Sequence, residues 1–137
     1  MAVRTEDFDS DQKEIYEHIV GLFDSFIKKD ESAVKAGHTN DWKGFQIPSK
    51  SLVRGIDDYM VKAREVMQKI TAYDYEFLDM SIDVYGDVAI VLYLARDFLR
   101  DAQGNESTIL IRSLDVYRRE SHGWNQCASN INTMSDD

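Results

Sequence analysis

The sequence predicts an α+β fold in which three N-terminal helices pack in a strongly curved, cone-shaped antiparallel sheet. Two observations carry this. Up to about Thr71 the apolar residues recur at helical intervals, and from Tyr73 onward they alternate with period two. The second region is cut by Gly-containing polar turns at Gly86-Asp87, at Asp101-Ala102-Gln103-Gly104-Asn105 and before Gly123-Trp124, the punctuation of an antiparallel meander.

The elements follow in order. Asp9 and Gln12 have capping-box spacing, and Ile15, Ile19, Leu22, Phe23 and Phe26 then make a wide apolar stripe up to Lys28-Lys29-Asp30. Asp30 caps a short second helix through Ala33 and Val34 that stops at Gly37. Residues His38 to Arg54 read as a loop, but Trp42, Phe45, Ile47 and Pro48 make it too apolar for a free linker, so it covers something. After Gly55 a third helix places Ile56, Tyr59, Met60, Ala63, Met67 and Ile70 on one face. In the first strand Tyr73, Tyr75 and Phe77 alternate in one phase, whereas Leu78, Met80, Ile82 and Val84 alternate in the other. A slip of one residue flips every side chain unless the strand bulges, so a bulge is expected near Phe77. Further strands run from Val88 to about Arg100, from Ser107 to Arg119 and from Trp124 to Asn132. Residues 1–8 and Thr133 to Asp137 read as flexible tails flanking one domain.

Helices that precede such a sheet can cover only one of its faces. Val88, Ile90, Leu92 and Leu94 nevertheless oppose Ala89, Val91, Tyr93 and Ala95, so both faces are apolar. A second subunit is the natural cover for the far face, which predicts a homodimer through the sheet.

Composition narrows the function classes. A formal net charge of −9 repels phosphate backbones and anionic membrane surfaces, so neither nucleic acid nor membrane is an expected partner. Cys127 is the only cysteine, which leaves no internal disulfide and suits a reducing compartment. Without an apolar leader at the N-terminus or a membrane-length apolar run, the expectation is a cytoplasmic protein. His18, His38 and His122 supply no ligand-pair spacing, so no metal site is expected. No Gly-rich phosphate loop or Ser/His/Asp constellation appears, and no cofactor is expected.

Gly86-Asp87-Val88-Ala89 opens a long strand, Leu114-Asp115-Val116-Tyr117-Arg118-Arg119 precedes the Gly123-Trp124 turn, and Ala128-Ser129-Asn130-Ile131-Asn132 closes the chain. With Gly55-Ile56 opening a helix, these segments resemble the nuclear transport factor 2-like superfamily, which has a cystatin-like fold. The likeness is to its SnoaL-like proteins and to the association domain of calcium/calmodulin-dependent kinase II. The resemblance implies a cone that binds a small apolar or aromatic organic molecule, as in a cofactor-free isomerase, cyclase or hydratase. It equally allows a non-catalytic association module, and fold does not decide between them.

Within that resemblance, Asp115 matches the strand position where ketosteroid isomerases hold a protonated aspartic acid, and where the kinase domain has an arginine. An inward Asp115 beside Tyr93 and Asn130 would have its pKa raised by desolvation and could donate to a substrate oxygen. The isomerase tyrosine and general base fall near Leu22 and Gln46, neither of which can do that work. Asp41 is the candidate base in their place, provided that it is buried without a cationic partner. His38, Trp42, Phe45, Gln46, Tyr59, Tyr93, Tyr117 and Asn130 are the expected pocket lining, the aromatics supplying surface and Gln46 and Asn130 orientation.

Overall fold

The computed structural model describes residues 3–47 and 49–136, so Pro48 lies outside the described residues. Helix α1 (Ser10–Lys28) starts at a complete capping box. Asp9 Oδ1 accepts from the Gln12 amide at 2.9 Å, and Gln12 Oε1 accepts from the Asp9 amide at 2.9 Å. Helix α2 (Glu31–Ala36) is capped by Asp30, and α3 (Ile56–Lys69) follows Gly55, whose φ of 87° favours glycine. At the N-terminus, expected to be free through residue 8, Thr5–Asp7 form one 3-10 turn and Val3 and Phe8 pack against the core.

The segment expected to be a loop instead contains two strands, β1 (His38–Phe45) and β2 (Val53–Arg54). The remaining strands are β3 (Ile70–Tyr85), β4 (Val88–Asp101), β5 (Glu106–Glu120) and β6 (Gly123–Ser135). They form one six-stranded sheet in the order β2-β1-β6-β5-β4-β3. The expected all-antiparallel, four-stranded sheet is corrected in two ways: β1 joins it, and β1 runs parallel to β6. A crossover through β2, α3 and the meander separates these strands in sequence, so the pairing is invisible to local periodicity. The expected C-terminal tail also changes, because Thr133 and Ser135 pair with Ile111 and Ile109 and extend the last strand.

The bulge expected near Phe77 is present. The β3–β4 register jumps between Phe77 and Asp79, so Phe77 and Ile82 both reach the core despite their odd spacing. Another shift lies between Val116 and Tyr117 on β5, opposite Cys127, which is left unpaired on β6. Its effect is local but decisive. Gln126 and Ser129 are three residues apart, an odd spacing that regular alternation would send to opposite faces, yet both side chains face the helices.

Two apolar clusters fill the space between sheet and helices. The first joins Ile15 and Ile19 of α1 to Val91, Tyr93, Ile111 and Tyr117, and the second joins Tyr59, Met60 and Ala63 of α3 to Trp42, Val53 and Val34. The first helix is also tied by its N-terminal half. Glu14 Oε2 accepts from the Trp124 backbone at 2.8 Å, Asp11 accepts from Trp124 Nε1 at 3.1 Å, and Arg119 lies 4.3 Å from the Trp124 ring.

A glycine sets the closeness of β1. A Cβ on Gly44 would overlap the Ser129 carbonyl oxygen and lie 2.9 Å from Trp42 Cη2, whereas a Cβ on Gly21 in α1 would meet nothing within 4 Å. Gly44→Ala is therefore expected to destabilise the fold by about 3 kcal/mol through overpacking against backbone. Gly21→Ala should instead stabilise it by up to about 1 kcal/mol through helix propensity. Urea unfolding of both variants checks the pair.

Candidate functional site

The inner face of the sheet carries a connected polar line inside an apolar interior. Asp115, directly opposite Val91 and Ser129, exposes 2% of its surface. Alternation puts Ser113 on the same face two residues earlier, and both serine hydroxyls donate to Asp115 Oδ1, at 2.6 Å from Ser113 and 2.7 Å from Ser129. Gln126 Nε2 donates to Oδ2 at 3.3 Å. The amide's orientation is fixed from the far side: Trp42 Nε1, which can only donate, reaches Gln126 Oε1 at 2.9 Å. Burial pushes the Asp115 carboxyl up to about 6, opposed by the two serine hydroxyls.

The sequence placed Asp115 inward with a raised pKa, and the structure does the same. Its surroundings differ from the expectation. Both oxygens accept from protein donors, the arrangement of a satisfied carboxylate rather than of a free proton donor. Asn130, expected beside it, pairs with Leu114 and is exposed on the outer face. Phe45 pairs with Asn130 and is 45% exposed, so it too leaves the expected lining. In both cases the bulge at Cys127 and the register of the parallel pair set the facing, and neither is written in a local alternation.

Asp41 does not meet the condition for a base. It is exposed at the rim, where Arg118 donates to both of its oxygens at 3.0 and 3.2 Å and Thr39 Oγ1 donates at 2.8 Å. These bonds, the Arg118 guanidinium first, lower its carboxyl to about 2. Arg118 is held in turn by Glu120 at 3.2 Å.

The other expected lining residues do come together. His38, Trp42 and Tyr59 form one aromatic group, with His38 4.1 Å from the Tyr59 ring and Trp42 4.7 Å from it. Burial lowers the His38 imidazole to about 4, against the Val34 carbonyl, which lies 2.6 Å from Nδ1. Tyr93 and Tyr117 are buried, and burial with the nearby Asp115 raises both phenols well above their ordinary value. At the end of β1, Gln46 Nε2 donates to the Tyr59 carbonyl at 3.2 Å, which identifies the remaining amide atom as oxygen. That Oε1 is buried and has no partner among the described residues. Leu22, at the isomerase tyrosine's place, packs toward Gly37.

Sequence reasoning missed several residues. His18 from α1 meets the Tyr117 hydroxyl at 2.8 Å and Asn125 Oδ1 at 3.0 Å. Asn125 Nδ2 donates to the Ala36 carbonyl at 3.3 Å, so its Oδ1 faces His18 and makes Nε2 the protonated nitrogen. Asp97 stands on the inner face, opposite Tyr75 and Ile109, and desolvation pushes it up to about 6. Its signal was available: it continues the inward phase Val91, Tyr93, Ala95 with a charge. Among the described residues no group of three His, Cys, Asp or Glu is placed to hold a metal ion.

The outer face carries a shallow groove of about 500 Å³, lined by Leu92, Leu94, Leu114, Arg112, Asn130 and Asp79 among others. Val88, Ile90, Leu92 and Leu114 are all substantially exposed around it.

A family model for the SnoaL-like domain matches residues 15–129. The chain belongs to the SnoaL-like domain family. Among solved structures it is similar to a ketosteroid isomerase-like protein from Erwinia carotovora atroseptica, with 20% identity, 93% of this chain and 99% of that chain covered, and a TM-score of 0.78. It is also similar to the CaMKII hub of S. rosetta, with 15% identity, coverage of 89% and 95%, and a TM-score of 0.72. An NTF2-like protein with a cystatin-like fold from Novosphingobium aromaticivorans matches at 16% identity, coverage of 93% and 84%, and a TM-score of 0.71. At these identities the likeness is one of fold. No curated protein matches. No helix among the described residues is long and apolar enough to cross a membrane.

The buried groups make opposing demands on pH. The folded state keeps His38 neutral down to about 4, whereas the unfolded chain charges it near the ordinary 6.5, so this residue costs stability as pH falls across that window. The effect is at most roughly 3 kcal/mol. Asp115 acts with the opposite sign. The folded carboxyl takes up its proton near 6 and the unfolded one near 3.8, so stability rises as pH falls through 6. Denaturant midpoints between pH 7.5 and 4.5 are expected to fall more steeply on acidification in Asp115→Asn than in the wild type, and less steeply in His38→Gln.

Proposed function

We propose that this SnoaL-like protein binds a small, largely apolar organic molecule against the inner face of its sheet, between the end of β1 and α3, and that it works as a homodimer through the outer face. The observation that carries this reading is Gln46. An amide oxygen buried without a donor is costly, and a hydrogen-bond donor on a bound molecule relieves it. Tyr59, His38 and Trp42 supply the aromatic surface beside it. For the dimer, support comes from the exposed row Val88, Ile90, Leu92 and Leu114, whose members neighbour one another across β4 and β5.

Binding is better supported than cofactor-free proton transfer. In the catalytic version Asp115 would polarise a substrate oxygen, which requires it to give up at least one of its serine or glutamine donors. Asp41 would move a proton, which requires it to leave Arg118. Asp115→Asn is thus expected to retain ligand binding. A second reading, an association module, has the same apolar outer face in its favour and assigns the inner polar line to structure alone.

Native mass spectrometry separates the two. A dimer carrying an additional few hundred daltons, the order expected for a pocket of this class, is the predicted result. Gln46→Leu should lower affinity for that molecule about tenfold, the worth of one hydrogen bond, and leave the dimer intact. Leu92→Glu should yield monomer. A bare ring of more than two subunits would overturn the binding reading in favour of the association module.

A further inference from the structure

The sheet's inner face does not end at the polar line around Asp115. Along β4 it continues through Tyr93 and Ala95 to Asp97, about four residues or roughly 13 Å beyond Tyr93. At that end the face is aromatic. Phe23 of α1 stands 5.1 Å from the Tyr75 ring, 5.0 Å from Phe77 and 5.9 Å from Tyr93, and Tyr75 lies directly opposite Asp97 on the neighbouring strand. The Tyr75 hydroxyl is occupied by Asp24 at 2.7 Å and is turned away from serving Asp97.

Asp97 has no salt bridge and accepts from no side chain among the described residues, although it is half-buried. The arginines nearest in sequence are committed elsewhere: Arg96 to Glu76 and Asp136, Arg100 to Glu106 and to the Tyr73 ring at 4.4 Å. The Phe98 backbone is the one partner that offsets its desolvation. A half-buried carboxylate with no cation of its own beside several aromatic rings is the chemistry that recognises an ammonium group: the carboxylate supplies a charge-assisted hydrogen bond and the ring faces attract the cation.

We propose that the molecule bound against the inner face carries an amine, and that Asp97 is the residue that pairs with it. This rests on the binding reading above and adds its specificity. In this arrangement Gln46 and Asp97 mark two polar ends of an apolar, aromatic surface, the first an acceptor for a neutral donor and the second the anchor of a cation.

The test uses two probes of the same shape, 3-phenylpropylamine and 3-phenylpropanol, titrated into the full chain with amide chemical shifts as the readout. The amine is expected to bind at least tenfold more tightly than the alcohol, with shifts at Tyr75, Tyr93 and Asp97, and Asp97→Asn should erase that preference. Equal affinity of the two probes for the wild type, with shifts still on the inner face, would overturn the role of Asp97 and leave the binding reading standing. Binding of neither probe to the inner face would overturn both. Amine selectivity that persists unchanged in Asp97→Asn would place the cation elsewhere and also overturn the assignment. The comparison of probes on the wild type decides the question even if Asp97→Asn folds poorly.

Discussion

One buried carboxylate organises this fold. Moving the Asp115 side chain out of water is costly in proportion to how completely it is left unpaired, so its neighbours have to be donors. The sheet delivers them from three positions: Ser113 along the same strand, Ser129 directly across, and Gln126 through the bulge at Cys127. Gln126 can serve only because Trp42 fixes its amide, and Trp42 reaches it only because β1 runs close beside β6 over Gly44. The parallel strand, the bulge, the glycine and the indole are thus parts of one solution to burying a charge. Removing any of them leaves a polar group unsatisfied in the interior, which is why the polar line is continuous.

The two sheet faces have different fates. The inner one packs against α1 and α3, and its aromatic and aliphatic side chains meet those of the helices in two clusters. The outer one keeps Leu92, Leu114 and their neighbours in contact with solvent around a shallow groove. A single layer of helices has one apolar side to offer, so it cannot cover both faces of a sheet that is apolar on each.

Polar groups on the inner side divide by whether the protein already satisfies them. Asp115 is held by two serines and a glutamine, and His18 by Tyr117 and Asn125, while Asp41 at the rim is held by Arg118 and Thr39. Among the described residues Gln46 Oε1 has no partner and Asp97 has no side-chain donor, only the Phe98 backbone, and they lie on the same side of the sheet. In a fold whose other buried polar groups are so consistently paired, these two carry the argument for a bound molecule. The committed groups are better read as architecture, even where a familiar position invites a catalytic reading.

Much of the fold was legible because it depends on local rules. The helix caps at Asp9 and Asp30, the switch from helical period to alternation at Tyr73, the bulge after Phe77 and the inward facing of Asp115, Tyr93 and Tyr117 all follow from spacing along the chain. The candidate site was legible only in part. Alternation does not report the bulge at Cys127 three residues before Asn130, and a segment read as a loop does not report that β1 pairs with β6, so Asn130 and Phe45 were expected in the lining although both are exposed. Composition does not report partners, so Asp41 was read without Arg118, which is 77 residues away. The sequence determined which residues could be buried and with what periodicity. Tertiary structure decided which polar groups found partners, because a hydrogen bond needs a few tenths of an ångström and a direction, and both are set by how strands far apart in the chain come to lie side by side.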